Sequence, residues 1–251
     1  GVPLELKQTS HGLRWWLDAA RVKALITPRT KALVINTPAN PTGWTASLEE
    51  LRALLDLARQ YGLWIVADEI YGRICFGGQR APSFHDIMDE NDRILFVQTL
   101  SKNWSMTGWR VGWLEASPAL GDVIENLIQY SSSGVLMASQ RSAACALLEG
   151  ESFLQTQIKR WAQSCAILSE GLAATGRAQF AQPLGTFYLF CAFEGVSDAR
   201  ATALRIVDEA NVGLAPGTAF GAGGECFMRI CFARDPASIC EAVERLQNWL
   251  R

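Results

Sequence analysis

The sequence ILFVQTLSKNWSMTGWR, from Ile94 to Arg110, decides how the rest of the chain is interpreted. Its first residues, 94–97, form an apolar run of the kind that makes a buried strand. Hydroxyl side chains and Lys102 follow the strand, and Arg110 comes eight positions after the lysine. Open α/β sheets bind ligands at the carboxyl ends of their strands, where a partly desolvated amine can attack a carbonyl group. Taken alone, Lys102 is more simply interpreted as a surface lysine.

Two earlier segments have the same organisation of an apolar strand followed by polar residues. The strand at 31–36 leads into a loop with two prolines and a glycine that contains Asn40. The strand at 63–67 ends at Asp68 and Tyr71. A strand, a helix and a strand in this order predict a right-handed crossover with parallel pairing. Because the carboxyl ends of parallel strands share one edge of a sheet, we expect their polar side chains to converge there.

The helix between these two strands has clear start and stop signals. Ser47 and Glu50 form a capping-box pattern, and Gly62 is suited to end a helix that runs to about Tyr61. Leucines at helical spacing predict a buried stripe along it. The segments after residue 150 alternate helices with short strands, which is typical of a smaller α+β unit.

The groups at the predicted edge suit one kind of ligand, an aromatic aldehyde with a ring nitrogen and a phosphate. Lys102 could bind the aldehyde and later act as a general base, and Asp68 could keep the ring nitrogen protonated. Tyr71 and Asn40 could donate to a phenolic oxygen, while Thr99 and Arg110 could bind the phosphate. Individually these residues have ordinary interpretations as caps, packed aromatics, turn formers or surface charges; their order along successive strand ends favours the joint one.

Four ordered motifs resemble the signatures of class I/II aminotransferases, which are pyridoxal-phosphate enzymes of fold type I. They are Asn40-Pro41-Thr42-Gly43, Asp68-Glu69-Ile70-Tyr71, Ser101-Lys102 with Gly108-Trp109-Arg110-Val111-Gly112, and Met228-Arg229-Ile230-Cys231-Phe232-Ala233. The resemblance covers nearly the whole chain. It implies an α/β fold in which a mostly parallel sheet is sandwiched by helices, as an incomplete large domain at 1–150, with a smaller α+β domain at 151–251 that includes the linking helix.

The resemblance also implies an activity and a set of roles. The reaction is amino-group transfer from an α-amino acid to a 2-oxo acid, through a Schiff base of pyridoxal 5'-phosphate on Lys102. Asp68 pairs with the pyridine nitrogen, and Tyr71 and Asn40 bind the phenolic oxygen. Thr99 and Arg110 bind the phosphate. Arg229 binds the substrate carboxylate, and we also include Asn40 in the substrate site. By analogy we expect a cytoplasmic homodimer.

The chain has no match for the part of the family that precedes its first residue, including a phosphate-binding turn and an aromatic that stacks on the cofactor. We therefore expect that these 251 residues alone bind the cofactor weakly or not at all. Two alternatives stay open: a pyridoxal-phosphate β-lyase or decarboxylase on the same fold, and a non-catalytic ligand-sensing domain of a transcription regulator. A dehydrogenase is disfavoured because no G-x-G-x-x-G follows a strand.

Composition excludes several other classes. Hydrophobic residues make up 49% and charged residues 19%, which argues against disorder, and a net charge of −2 gives no nucleic-acid footprint. The apolar runs are too short to span a bilayer. Seven scattered cysteines without a C-x-x-C pair fit a reducing compartment better than a disulfide framework. With only His11 and His85 available, we expect no metal site of the usual His/Cys spacing.

Overall fold

The computed structural model describes residues 1–10 and 12–251. By their internal contacts these residues form two compact units. We call the first the central unit; it comprises Ala19–Pro38 and Ala46–Thr156. We call the second the C-terminal unit; it comprises Gly1–Asp18, Ala39–Thr45 and Gln157–Arg251. The assignment of residues 1–150 to a cofactor-binding domain and of residues 151–251 to a smaller domain stays a prediction.

The regular elements are numbered in chain order. The strands are β1 (Glu5–Thr9), β2 (Gly12–Trp16), β3 (Ala32–Asn36), β4 (Trp64–Asp68), β5 (Ile94–Thr99), β6 (Gly112–Glu115), β7 (Ala178–Phe180), β8 (Tyr188–Phe193), β9 (Ala215–Pro216) and β10 (Phe227–Cys231). The α-helices are α1 (Ala19–Ala24), α2 (Leu48–Tyr61), α3 (Leu100–Asn103), α4 (Gly121–Ser131), α5 (Met137–Glu149), α6 (Glu151–Ala173), α7 (Ala199–Ala210) and α8 (Pro236–Leu250).

The central unit is built on a four-stranded sheet in the order β3-β4-β5-β6. The first three strands are parallel, as predicted, and β6 runs antiparallel to β5. Asn36 of β3 is in register with Asp68 of β4, which is in register with Val97 of β5. Parallel strands align their carboxyl ends, so Asn36, Asp68 and Thr99 end at the same edge of this sheet.

Helix α2 forms where the local signals predict it. The Ser47 hydroxyl accepts from the Glu50 amide, the Glu50 carboxylate accepts from the Ser47 amide, and Gly62 ends the helix in the left-handed conformation at φ 63°. Leu51 and Leu54 are fully buried on its inner face. Each contributes about 1.5–3 kcal/mol by burial, which fixes the helix against the sheet and so fixes the ends of β3 and β4.

The C-terminal unit contains an antiparallel sheet in the order β7-β8-β10-β9 and a separate β1-β2 hairpin. The hairpin was not predicted from the sequence. Its Trp15 is buried and packs on Phe227 and Phe190, with ring centroids 5.5 and 6.0 Å away. Large aromatic side chains dominate core energetics, so these contacts anchor the hairpin.

The loop at 39–45 is held against β8 of the same unit. Gly43 has φ 69°, and a Cβ added there would lie 2.8 Å from the Cβ of Pro183. Only glycine fits such a close approach at a positive φ. The loop that carries Asn40 is therefore fixed to the segment preceding Tyr188. In the part of the chain that the structure describes, no helix is both long and apolar enough to cross a membrane.

Candidate active site

Asp68 is the acidic group at the carboxyl edge of the central sheet. It is half-buried, and its carboxylate accepts from the Ile70 amide at 3.4 Å. The Asn36 side chain donates to the backbone oxygen of Asp68 at 3.1 Å. Burial raises the pKa of the Asp68 carboxyl above its usual range, against the lowering effect of these hydrogen bonds. Among the described residues no cation pairs with it.

Thr99 and Lys102 lie at the end of the neighbouring strand. Thr99 caps α3: its hydroxyl accepts from the Ser101 amide at 3.1 Å and donates to the Val111 carbonyl at 3.3 Å. Lys102 sits in the last turn of this short helix and is partly buried. The Thr99 cap therefore fixes where α3 begins at the sheet edge, and with it the backbone position of Lys102.

Tyr71 lies just beyond Asp68, in the turn that follows β4. It is 2% exposed, and its carbonyl accepts from the Ile74 amide at 2.8 Å. A buried tyrosine offers a rigid ring with one polar atom. Its burial agrees with a packed aromatic and also with a hydroxyl held in one place for a ligand.

Arg110 has an unusual backbone for its residue type. Its φ of 53° lies in the left-handed region, which costs a non-glycine residue roughly 1–3 kcal/mol. Its Nη1 donates to the Thr107 carbonyl at 3.1 Å, and the side chain is exposed. Strain of this kind is typical of functional sites.

An open groove of about 720 Å³ in the central unit has Arg110 in its wall, between residues 108–110 and 132–139. Neither Lys102 nor Asp68 lines it. The groove is therefore a place where Arg110 can meet a ligand or a partner, and it does not by itself link the arginine to the lysine.

Arg229 and Asn40 form a pair in the C-terminal unit. The Nη1 of Arg229 donates to Oδ1 of Asn40 at 2.8 Å. The guanidinium carbon lies 4.2 Å from the ring centroid of Tyr188 and 4.7 Å from that of Phe220. Its buried Nε has no hydrogen-bond partner among the described residues. The guanidinium thus lies close to two aromatic rings, and its planar fork has the shape that suits a carboxylate.

The seven predicted site residues fall into two groups. Asp68, Tyr71, Thr99, Lys102 and Arg110 belong to the central unit, whereas Asn40 and Arg229 belong to the C-terminal unit. That the two groups serve one ligand stays a prediction.

Sequence reasoning assigned no role to Asn36, Tyr188 or Phe220, each of which contacts a predicted site residue. A polar residue at the end of a strand was a usable signal for Asn36. The stacking of two rings on Arg229 depends on pairing between distant strands, which local sequence does not show.

Outside residue 11, no group of three or more His, Cys, Asp or Glu side chains is arranged to hold a metal ion. His11 itself, one of the two histidines weighed as metal ligands, lies outside the described residues.

The sheet of the central unit, mostly parallel and packed against helix α2, has the α/β architecture of the fold type I class of pyridoxal-phosphate-dependent enzymes. The sequence profile described as aminotransferase class I and II matches residues 7–246. The chain belongs to this family.

Individual relatives support the family assignment. The chain is 30% identical over 250 residues to an LL-diaminopimelate aminotransferase of Desulforudis audaxviator, covering 100% of this chain and 63% of that one. It is 30% identical to an aspartate aminotransferase of Geobacillus stearothermophilus, covering 100% of this chain and 65% of the relative. The crystal structure of a Thermotoga maritima aspartate aminotransferase superimposes with a TM-score of 0.84 at 32% identity, over 94% of this chain and 60% of that one. The chain thus spans less than two thirds of the length of these relatives.

Proposed function

We propose that the protein transfers the amino group of an α-amino acid to a 2-oxo acid with pyridoxal 5'-phosphate as cofactor. The observation that carries the proposal is Asp68, a half-buried carboxyl with a raised pKa and no cationic partner among the described residues. An unpaired buried carboxylate is unfavourable. A protonated ring nitrogen is the partner that this group lacks, so the donor set fits the cofactor.

Each further residue of the central unit would hold one part of the same group. The amine of Lys102 would bind the aldehyde carbon, Tyr71 the phenolic oxygen, and Thr99 and Arg110 the phosphate. A guanidinium is well shaped for phosphate, and the left-handed backbone at Arg110 supports a functional constraint there. When bound, the cofactor supplies an electron sink for charge that develops at the substrate Cα.

Lys102 would also be the general base. A free amine beside the substrate Cα can take the proton from that carbon and later return one. The Thr99 cap fixes the start of the short helix that carries Lys102, which supports a defined position for its amine. Asp68 would remain ionised throughout because a neighbouring cation lowers the pKa of a carboxyl group.

Asn40 and Arg229 would bind the substrate carboxylate, and Asn40 would also contact the phenolic oxygen of the cofactor. The Arg229 fork is already planar and stacked on two rings. A carboxylate can receive two parallel hydrogen bonds from such a fork. The relatives named above are aspartate and LL-diaminopimelate aminotransferases, so amino acids with a second polar or charged end are the first donors to test.

We also propose that the protein is a cytoplasmic homodimer. Helix α4 buries none of its residues, and Leu127 and Tyr130 are 63% and 93% exposed. Large apolar side chains exposed together on one helix are typical of an interaction surface. Light scattering on the full-length protein should give twice the monomer mass, and Leu127→Lys should lower it; a monomeric wild-type protein would contradict the homodimer.

A panel of amino donors and oxo acids on the full-length protein tests the proposed reaction. We expect amino acid and oxo acid to exchange their amino group in equal amounts, with no exchange in Lys102→Ala. Release of CO₂, or of a side-chain fragment with ammonia, would instead indicate a decarboxylase or a β-lyase. Ligand binding without turnover would favour a sensor domain.

A further inference from the structure

Arg229 shares one face of the C-terminal sheet with aromatic side chains. In the antiparallel ladder of β8 and β10, Arg229 is directly opposite Phe190, and Phe227 is opposite Ala192. Because side chains alternate between the two faces of a strand, three aromatic residues lie on the face that carries Arg229, namely Tyr188, Phe190 and Phe227. Directly opposite side chains are near neighbours in a sheet. The surroundings of the Arg229 guanidinium are therefore decided largely by the strand next to its own.

Phe190 is the centre of an aromatic cluster on this face. It is buried, and its ring stacks on that of Phe227 with centroids 4.9 Å apart and planes 8° from parallel. Trp15 of the β1-β2 hairpin packs on both rings, with centroids 6.0 and 5.5 Å away. Aromatic pairs of this kind stabilise a core beyond the area that they bury. Contacts with two other rings therefore hold the Phe190 ring in place.

Phe220 connects this cluster to the guanidinium. Its ring meets that of Phe190 edge to face, with planes 89° apart and centroids 6.2 Å apart. On its other side, the Phe220 centroid lies 4.7 Å from the guanidinium carbon of Arg229. Among the described residues, Phe190 is the aromatic residue whose ring contacts that of Phe220. The three side chains thus form a series in which Phe220 is the middle member.

The backbone that carries Phe220 is fixed at the start of its turn. Phe220 ends the single 3₁₀ turn Gly217–Phe220, and a Cβ added at Gly217 would lie 2.7 Å from the Phe227 carbonyl oxygen. Gly221 follows with φ 125°, a conformation that favours glycine. The Phe220 side chain itself is 38% exposed. The turn therefore sets where the ring begins, and the contact with Phe190 sets how the ring is oriented.

The polar contacts of Arg229 leave part of its fork without restraint. Its Nη1 donates to Oδ1 of Asn40 at 2.8 Å, and its buried Nε has no hydrogen-bond partner among the described residues. Holding a long side chain in one geometry costs conformational entropy. A guanidinium is attracted to the face of an aromatic ring, so an ordered ring beside it lowers that cost before a ligand binds.

We infer that Phe190 is a positioning residue for Arg229: it orients the Phe220 ring, and the Phe220 ring holds the guanidinium where its fork can receive a carboxylate. The inference rests on the proposed role of Arg229 in binding the substrate carboxylate. Phe190 acts through Phe220 and takes no part in the chemistry. Trp15 contributes by packing on Phe190, which gives the β1-β2 hairpin a role in substrate binding.

Steady-state kinetics of Phe190→Leu and Phe220→Leu in the full-length protein test the inference. Each change removes a ring and keeps an apolar side chain. We expect the KM for the amino donor to rise about three- to tenfold while kcat changes by less than about twofold, because the lost interaction serves binding and not the chemical step. Phe220→Tyr keeps the ring and should restore the wild-type KM. Phe153→Leu, at a position 44% exposed in α6, is the matched control and should leave KM unchanged.

Calorimetry with succinate separates this inference from the proposed function, because succinate carries carboxylates but has no amino or oxo group to exchange. We expect succinate to bind the wild-type protein, and to bind both Leu variants about three- to tenfold more weakly. The double variant should bind succinate like Phe220→Leu alone, since residues that act in series are not additive. Phe190→Met, which fills similar space without a ring, repeats the test if Phe190→Leu does not fold.

The pattern of succinate affinities decides the outcome whether or not the protein transfers amino groups. Weaker binding in the Leu variants together with absent transfer would support the inference and contradict the proposed function. The inference is overturned if the wild type does not bind succinate, or if the Leu variants bind it like the wild type. It is also overturned if Phe220→Tyr behaves like Phe220→Leu, or if the two Leu substitutions weaken binding additively.

Discussion

The Nη1 of Arg229 donates a hydrogen bond of 2.8 Å to Oδ1 of Asn40, across 189 positions of sequence. The contact joins strand β10 to the loop at 39–45, which Gly43 holds against the segment before β8. Because the rings of Tyr188 and Phe220 also lie against the guanidinium, the position of the side chain is restricted before any ligand arrives. Preorganisation of this kind lowers the entropic cost of binding a carboxylate.

Arg229→Lys in the full-length protein tests this arrangement. A lysine keeps the charge but loses the planar fork and its stacking. Hydrogen bonds to charged groups contribute about 1.5–3 kcal/mol, so we expect the KM for the amino donor to rise by roughly 10- to 100-fold in steady-state assays. Arg200→Lys, on the exposed side of α7, is the matched control and should leave KM unchanged. Equal KM values for the Arg229 variant and the wild type would remove Arg229 from the substrate site.

The Asp68→Asn substitution should have different effects on folding stability and on cofactor binding. Burial raises the pKa of Asp68 in the folded chain above 3.8. Between the unfolded and folded pKa values the folded state holds more protons, so its stability falls as pH rises through that window. Without cofactor, Asp68→Asn should therefore be as stable as the wild type at pH 7 or more so, and should lose this part of the pH dependence.

The same Asp68→Asn variant should bind pyridoxal phosphate much more weakly, because an amide cannot pair with a protonated ring nitrogen. Urea unfolding from pH 4 to 8 and cofactor titration provide the two measurements. Asp208→Asn, an exposed carboxyl on α7, is the control for both. An Asp68 variant that is unstable at pH 7 yet binds the cofactor normally would give this residue a structural role instead.

Gly150→Ala probes the packing behind the sheet edge. A Cβ at Gly150 would lie 2.7 Å from Nε1 of Trp104 and closer still to the Ala146 carbonyl oxygen. Overpacking of this kind costs about 1–3 kcal/mol, which urea unfolding should show as a lower midpoint. Gly121→Ala, in α4 with no atom near its added Cβ, should be neutral or slightly stabilising. Similar midpoints for the two variants would mean that Trp104 can move aside.

Local signals predicted the helices and the parallel strands well. Ser47 and Glu50 mark the start of α2 and Gly62 marks its end, and the apolar runs before Asp68 and Thr99 form the parallel strands β4 and β5. The β1-β2 hairpin was not predicted because its strands are short and β1 is mostly polar, and because Trp15 gains its partners from β8 and β10. Contacts between distant segments decide such elements.

The candidate site was predictable only as a set of residues. The order of the motifs along the chain identified Lys102, Asp68 and Arg229 as candidates, since each follows or lies in a recognisable strand. The aromatic stacking on Arg229, the support of Asp68 by Asn36 and the left-handed backbone at Arg110 depend on tertiary structure. Of these, only Asn36 has a local signal, as a polar residue at the end of a strand.

The central claim is that Lys102 is the amine that binds the cofactor aldehyde. The direct measurement is to incubate the full-length protein with pyridoxal phosphate, reduce with borohydride, and locate the added mass by peptide mass spectrometry. The chain offers five lysines, namely Lys7, Lys23, Lys31, Lys102 and Lys159. We predict one equivalent on Lys102, prevented by prior addition of an amino donor. Label spread over the exposed lysines, or absent from Lys102, would contradict the account.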